Sequence, residues 1–177
     1  MTNPLWAPWR MEYILGPKSH DKACIFCGVA EASPEERRER LVVASTPRVF
    51  VMLNRFPFAA GHLLIVPHAH AGPLEDLTRE DHDALFLVVR ESCVRLKRAL
   101  RAEGLNVGLN LGAVAGAGVA AHLHVHVVPR WSGDTNFMPV IADTRVMPQA
   151  LSATQEHLEK FFADLEGAST SGREAGP

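Results

Sequence analysis

Apolar positions along the chain recur with two different periods. Residues 41–44, 49–53 and 62–66 are short runs of β-formers, bounded by Ser-Thr-Pro-Arg, Asn54 and Gly61, and read as strands. From Thr78 the period lengthens. Leu85, Val88, Val89, Leu96 and Leu100 fall on one helical face, with Thr78-Arg-Glu-Asp81 as cap and Gly104 as stop. Further strands are predicted over 105–111 and 122–128, on either side of a small-residue loop at 112–121, and a last helix over about 148–165. Ser33-Pro-Glu-Glu36 opens a short charged helix that ends near Arg40. Strands, a long helix, strands and a terminal helix imply an α+β fold with helices packed on an antiparallel sheet.

Composition narrows the class. The chain has 177 residues, 47% of them hydrophobic and 21% charged, enough for one globular core. We expect a domain over 21–166, preceded by a docking segment at 1–20 and followed by a disordered tail at 167–177. Leu5-Trp-Ala-Pro-Trp-Arg-Met-Glu-Tyr-Ile14 is too aromatic for a loose end, whereas the tail has almost nothing to bury. With 18 Lys+Arg against 20 Asp+Glu, the net charge of -2 argues against a nucleic-acid polymer as partner. The longest small-residue apolar stretch, at 111–121, is about half of the roughly 20 residues a membrane span needs, and no export signal opens the chain. A soluble, cytoplasmic protein with no membrane partner is expected.

The chemistry concentrates in His122-Leu-His-Val-His126-Val-Val. On a strand, alternation puts three imidazoles on one face and Leu123, Val125 and Val127 on the other, with neighbouring same-face side chains about 6.6 Å apart. Such a row can bind a metal, or one ring can attack phosphorus while its neighbours, when protonated, offset charge on phosphate oxygens. The preceding loop, with Gly116 and Gly118, is small enough for backbone N–H groups to approach an anion. Cys24-Ile-Phe-Cys27 has zinc-knuckle spacing, and several histidines could complete a tetrahedral site; a redox pair or two core thiols are the other readings. Cys93, at mid-helix, reads as a buried thiol, and His20, His82 and His157 as surface residues.

The segment from His122 to Val128 resembles the His-φ-His-φ-His-φ-φ motif of the histidine triad family, φ being apolar. Asn54-Arg-Phe-Pro-Phe-Ala-Ala-Gly-His62 with the following Leu-Leu-Ile-Val-Pro67 resembles the family's nucleoside-binding strand and turn. Trp6-Ala-Pro-Trp-Arg10 and Pro129-Arg-Trp-Ser-Gly-Asp-Thr-Asn-Phe137 are similar to the branch of bacterial diadenosine tetraphosphate phosphorylases and fragile-histidine-triad hydrolases. The resemblance covers residues 5–150 or thereabouts.

It implies a five-stranded antiparallel sheet with two main helices, a homodimer, and a nucleotidyl hydrolase or transferase working through a covalent nucleotidyl-histidine. Diadenosine tetraphosphate is the type of substrate implied; a phosphoramidate or mononucleotide is the alternative. By position, His124 matches the nucleophile, His126 the residue at the transferred phosphate and leaving group, His62 a fourth histidine beside the triad, and Asn54 a residue at the ribose. The metal-containing members imply His70 and His122 as partners of Cys24 and Cys27 in a closed structural zinc site, with His68 a competitor for His70. One departure stands out. Many members have Gln and then Ser or Thr where this chain has Gly118 and Val119, so contacts to phosphate must come from backbone or from residues such as Arg130 and Asn136. Arg130 also reads as an exposed turn residue. Outside the family, a cupin-like metal enzyme would need a nearby carboxylate and a later His as ligands, which Asp134 and His157 supply poorly. A non-catalytic nucleotide-binding module is the remaining reading.

Overall fold

The computed structural model describes residues 24–134 and 150–165. The expected docking segment at 1–20, the tail at 167–177 and Asn136 lie outside the described residues. In chain order the elements are α1 (Pro34–Glu39), β1 (Val42–Ser45), β2 (Val49–Leu53), β3 (Leu63–Pro67), α2 (Arg79–Leu100), β4 (Gly104–Gly108), β5 (Val125–Arg130) and α3 (Leu151–Phe162). The strands form one five-stranded sheet in the order β1-β2-β3-β5-β4, antiparallel at every pairing.

Local chemistry explains the connections. Thr46 closes the first hairpin: its hydroxyl donates to the Val49 carbonyl (2.8 Å) and accepts from the Val49 N–H (3.1 Å). Thr78 caps α2 by accepting from the Asp81 N–H (3.1 Å), and Arg48 at the hairpin tip donates to Asp81 (2.7 Å), tying the turn to the helix start. Gly61 has φ +78°, a left-handed conformation suited to glycine, and leads the chain into His62 and β3.

Strand alternation gives the sheet two different faces. Val49, Val51, Leu53, Leu63, Ile65, Val125 and Val127 meet Leu85, Val88 and Leu96 of α2 and Leu158 and Phe162 of α3 in the main core. The opposite face carries Phe50, Leu64 and Val66, covered by Phe26 and Val29 from the segment before α1. Among the described residues, no helix is long and apolar enough to cross a membrane.

Several sequence boundaries shift. The segment expected to be a strand from residue 122 pairs in the sheet only from Val125, because the Leu123 N–H donates to the Ala71 carbonyl (2.7 Å) in the loop after β3. The side-chain alternation survives: Leu123 is in the main core, while His122 and His124 both pack against Phe26 on the other side. Helix α2 stops before Gly104, since Arg101 takes the left-handed position (φ 51°) and Gly104 opens β4. Strand β4 ends at Gly108 rather than 111. His157, expected at the surface, is part-buried with its Nε2 2.9 Å from the Ala99 carbonyl. Cys93 is half-buried and packs against the core.

Candidate active site

The histidines gather on the sheet face away from the long helices. His62, at the entrance to β3, is fully buried; His122 and His124 are buried in the segment leading into β5; His126 is in β5, beside Leu64 of β3. The His124 and His126 ring centroids are 5.0 Å apart, and those of His62 and His126 5.1 Å.

Backbone partners assign a proton to each ring. A carbonyl oxygen only accepts, so contact with one places the hydrogen on that ring nitrogen and leaves the other nitrogen of a neutral imidazole with a lone pair. His122 donates through Nε2 to the Pro67 carbonyl (2.9 Å), so its Nδ1 lone pair faces the cysteines. His124 donates through Nδ1 to the His122 carbonyl (2.9 Å), so its Nε2 carries the lone pair. At His62 the order reverses. The Phe58 N–H donates to Nδ1 (3.1 Å) and the Asn54 amide donates there too (3.3 Å), which places the proton on Nε2. That Nε2–H donates to Nδ1 of His126 (2.9 Å), leaving the proton of His126 on its outer nitrogen, Nε2.

Burial disfavours the charged form of the three triad rings. Burial lowers the pKa of His124 and of His122, each against a backbone hydrogen bond that acts the other way. Burial, with His124 as a further cause, lowers His126 to about 4. Desolvation thus favours a neutral His124, whose Nε2 keeps its lone pair, and a neutral His126, whose outer N–H can donate.

Next to the triad, Cys24, Cys27, His70 and His122 bring one ligand atom each to within 4.8 Å of one another. Cys24 Sγ is 3.3 Å and Cys27 Sγ 3.7 Å from His122 Nδ1, and Cys27 Sγ is 3.2 Å from His70 Nδ1. Tetrahedral zinc with bonds of about 2.1–2.3 Å places its ligands roughly 3.5 Å apart, so two thiols and two imidazoles at these separations fit such an ion. The His122 bond to Pro67 orients the ring, as a second partner does for a metal-ligating histidine. His68 is turned elsewhere, with Nε2 3.1 Å from the Thr46 carbonyl and 3.2 Å from the Ser45 hydroxyl.

Other residues singled out from the sequence are placed differently. The Asn54 amide oxygen accepts the Phe56 N–H (2.9 Å) while its nitrogen supports His62. Gly116 has φ +89° and closes a 3-10 turn over Ala113–Ala115, with its carbonyl accepting from Asn110 (3.3 Å); Gly118 follows in the same loop. Arg130 holds Asp134 (2.7 Å) and Asn106 (3.0 Å) at the end of β5, four residues beyond His126. Sequence reasoning missed Phe26 and Phe58. Phe26 is buried against His122 and His124, whereas Ile25 beside it is 63% exposed. The Phe58 ring stacks on His62 at 5.1 Å and 20°. Two aromatics embedded in the quoted motifs, Cys24-Ile-Phe-Cys27 and Phe56-Pro-Phe58, were the available signal.

Comparison with known proteins places this geometry. The chain is 41% identical over 166 residues to a Mycobacterium tuberculosis protein named AP-4-A phosphorylase, spanning 90% of this chain and 84% of that one. It is 29% identical to a bifunctional bis(5'-adenosyl)-triphosphatase/adenylylsulfatase of Arabidopsis thaliana over 78% of this chain and 79% of that one. Its fold is similar to the crystal structure of a zinc-bound histidine triad family protein from Mycobacterium smegmatis, with TM-score 0.63 and 26% identity over 82% of this chain and 97% of that one. The family description HIT domain matches residues 35–133, and the chain belongs to that family.

Proposed function

We propose that the protein cleaves a dinucleoside polyphosphate such as diadenosine tetraphosphate by nucleotidyl transfer through His124, with inorganic phosphate as the acceptor. The observation that carries this reading is the 2.9 Å bond from His124 Nδ1–H to the His122 carbonyl, which keeps a lone pair on Nε2. In the first step Nε2 attacks the phosphorus of one nucleotide, and the bond to the bridging oxygen breaks with its electron pair leaving on the polyphosphate. The His126 Nε2–H hydrogen-bonds that oxygen as charge develops. The His122 carbonyl meanwhile stabilises the positive charge on the nucleotidylated ring. In the second step phosphate attacks and His124 leaves as a neutral imidazole, so one diadenosine tetraphosphate and one phosphate give ADP and ATP.

Asn54 serves the ribose, and the backbone of the loop with Gly116 and Gly118 serves the phosphate oxygens. Arg130, held by Asp134 and Asn106, supports β5. Cys24, Cys27, His70 and His122 would hold zinc in a closed four-ligand site, which would pin the segment before α1 against the triad. The homodimer reading is supported by β4, an edge strand, and by exposed Val107, Leu111, Phe86 and Val94.

The test is product analysis with diadenosine tetraphosphate, with and without phosphate, alongside His124→Asn. ADP plus ATP only when phosphate is present, and no turnover by the variant, is the expected result. AMP plus ATP, or two ADP, without phosphate would make water the acceptor. No turnover by the wild type under either condition would overturn the dinucleotide reading.

A further inference from the structure

Cys24 and Cys27 are related by more than the histidines they share. The Cys27 N–H donates to the Cys24 carbonyl (3.2 Å), which closes a turn over Ile25 and Phe26. A turn of this kind brings its first and fourth Cα atoms to within about 7 Å, and a disulfide spans Cα separations of about 4.4–6.8 Å. The two Sγ atoms already lie within 4.8 Å of each other. The pair is therefore placed for a disulfide that keeps the turn.

Access differs between the two sides of this turn. Phe26 is 3% exposed and packs on His122 and His124, whereas Ile25 is 63% exposed and both thiols are half-buried rather than sealed. Cys27 Sγ meets His70 Nδ1 at the exposed rim of the cluster, while Cys24 Sγ meets the buried His122. A small oxidant arriving from solvent thus reaches Cys27 first, with Cys24 behind it. A second sulfur so placed resolves a sulfenic acid to a disulfide before further oxidation can occur. Cys93 stands apart, on α2 and packed against the main core on the other face of the sheet.

Building on the reading of Cys24, Cys27, His70 and His122 as zinc ligands, we propose that Cys24 and Cys27 are also a reversible redox site, at which a disulfide and bound zinc exclude each other. The oxidant is a peroxide. A coordinated thiol is deprotonated, so the loaded site presents the pair as thiolates. Cys27 Sγ attacks one peroxide oxygen, the O–O bond breaks, and the other oxygen leaves as hydroxide, giving a sulfenic acid. Cys24 Sγ then attacks Cys27 Sγ, the S–O bond breaks, and a second hydroxide leaves. Two electrons pass from the thiolates to one peroxide, and two protons from solvent convert the hydroxides to water. With the sulfurs bonded to each other, only His70 and His122 remain as ligands, too few for a closed tetrahedral zinc site. Oxidation thus undoes the tie between the segment before α1 and His122 that the metal would supply.

The test uses the full chain, reduced and loaded with zinc, as wild type and as Cys93→Ser, which removes the third thiol. Each protein is treated with hydrogen peroxide at doses that consume free cysteine in a parallel sample. Released zinc is followed with a chromogenic chelator, and the peptide containing Cys24 and Cys27 is examined by mass spectrometry after alkylation. Zinc per chain is expected to fall about tenfold or more, in step with loss of two hydrogens and of both alkylation sites from that peptide, in both proteins. A thiol reductant with added zinc is expected to reverse both changes. Zinc that stays bound while both thiols remain open to alkylation overturns the redox site and leaves the metal reading standing. Zinc release with sulfinic acids, or with disulfides between chains, in place of the Cys24–Cys27 bridge also overturns it. A reduced protein that takes up no zinc overturns the metal reading and this inference together.

Discussion

The ring of His124 is joined to the main chain of His122 by one 2.9 Å hydrogen bond, Nδ1–H to carbonyl oxygen. The ring of that same His122 closes the cysteine–histidine cluster through its Nδ1, 3.3 Å from Cys24 Sγ. The cluster therefore shares His122 with the backbone carbonyl that sets the tautomer of His124, the proposed nucleophile. The cluster draws its members from three separate parts of the chain: the segment before α1, the loop after β3, and the approach to β5. Its effect on activity follows from holding these parts together.

Removing metal is thus expected to loosen the fold and the site together. Cys27→Ser, or treatment with a strong chelator, should lower the thermal midpoint by roughly 6–12 °C, corresponding to about 3 kcal/mol in a domain of this size. Turnover should fall in parallel, and added zinc should restore both after chelation. Calorimetry and metal analysis on the same samples check this. Lost turnover at an unchanged midpoint would instead point to a metal that takes part in the reaction.

His62 is joined to His126 by a 2.9 Å hydrogen bond, so in the proposed reaction the two should not behave as independent residues. Each single change, His126→Asn or His62→Leu, should lower kcat; the former is expected to cost about 10²- to 10⁴-fold, as for loss of a positioned proton donor. In the double variant the second substitution should add little, since the tautomer that His62 enforces no longer has a ring to act on. Multiplying penalties in this cycle would mean that His62 contacts substrate in its own right.

How much of this was legible in the chain depends on the range of the interaction. Alternation at His122-Leu-His-Val-His126 predicted the correct two faces even though the sheet ladder starts only at Val125, because the alternation belongs to extended backbone and the ladder to its neighbours. Cys24 and Cys27 signalled a metal site by spacing, but the choice of His70 over His68 depended on a loop whose direction is set by tertiary contacts, including the bond from Leu123 to Ala71. The direction of the His126 shift was not legible for the same reason. Burial of His126 beneath its neighbours is a property of the folded face, and nothing in a five-residue motif reports it. Strand ends at 108 and 125 shifted because pairing partners, rather than propensity, end a ladder.

Gly61 links the fold to the site at a single position. Its φ of +78° is costly for an L residue, and a Cβ placed there would lie 2.3 Å from Leu100 Cδ1. Gly61→Ala should therefore destabilise the protein by about 1–2 kcal/mol from backbone strain alone, with Leu100 displaced besides. Because His62 is the next residue, the variant should also lose kcat at temperatures where it remains folded. Denaturant titration and steady-state kinetics on one preparation check the pair of effects; a stable variant with normal kcat would show that the turn adapts freely.

Protonation of His126 gives a prediction for acid stability whose sign can be worked out. Its ordinary value of 6.5 falls to about 4 in the folded chain, burial being the largest cause. Between these values the unfolded chain binds more protons at this position than the folded one, so stability rises with pH across that window. The contribution is fully present above about pH 6.5, is lost as pH falls, and levels off once the folded ring also protonates near pH 4. His126→Asn removes the titrating group and should flatten part of this acid limb, whatever its stability at pH 7. Urea unfolding of both proteins at intervals from pH 4 to pH 7.5, with zinc held saturating, measures the difference in slope. Parallel limbs in the two proteins would assign the acid sensitivity to other groups and would return His126 to an ordinary, solvated imidazole.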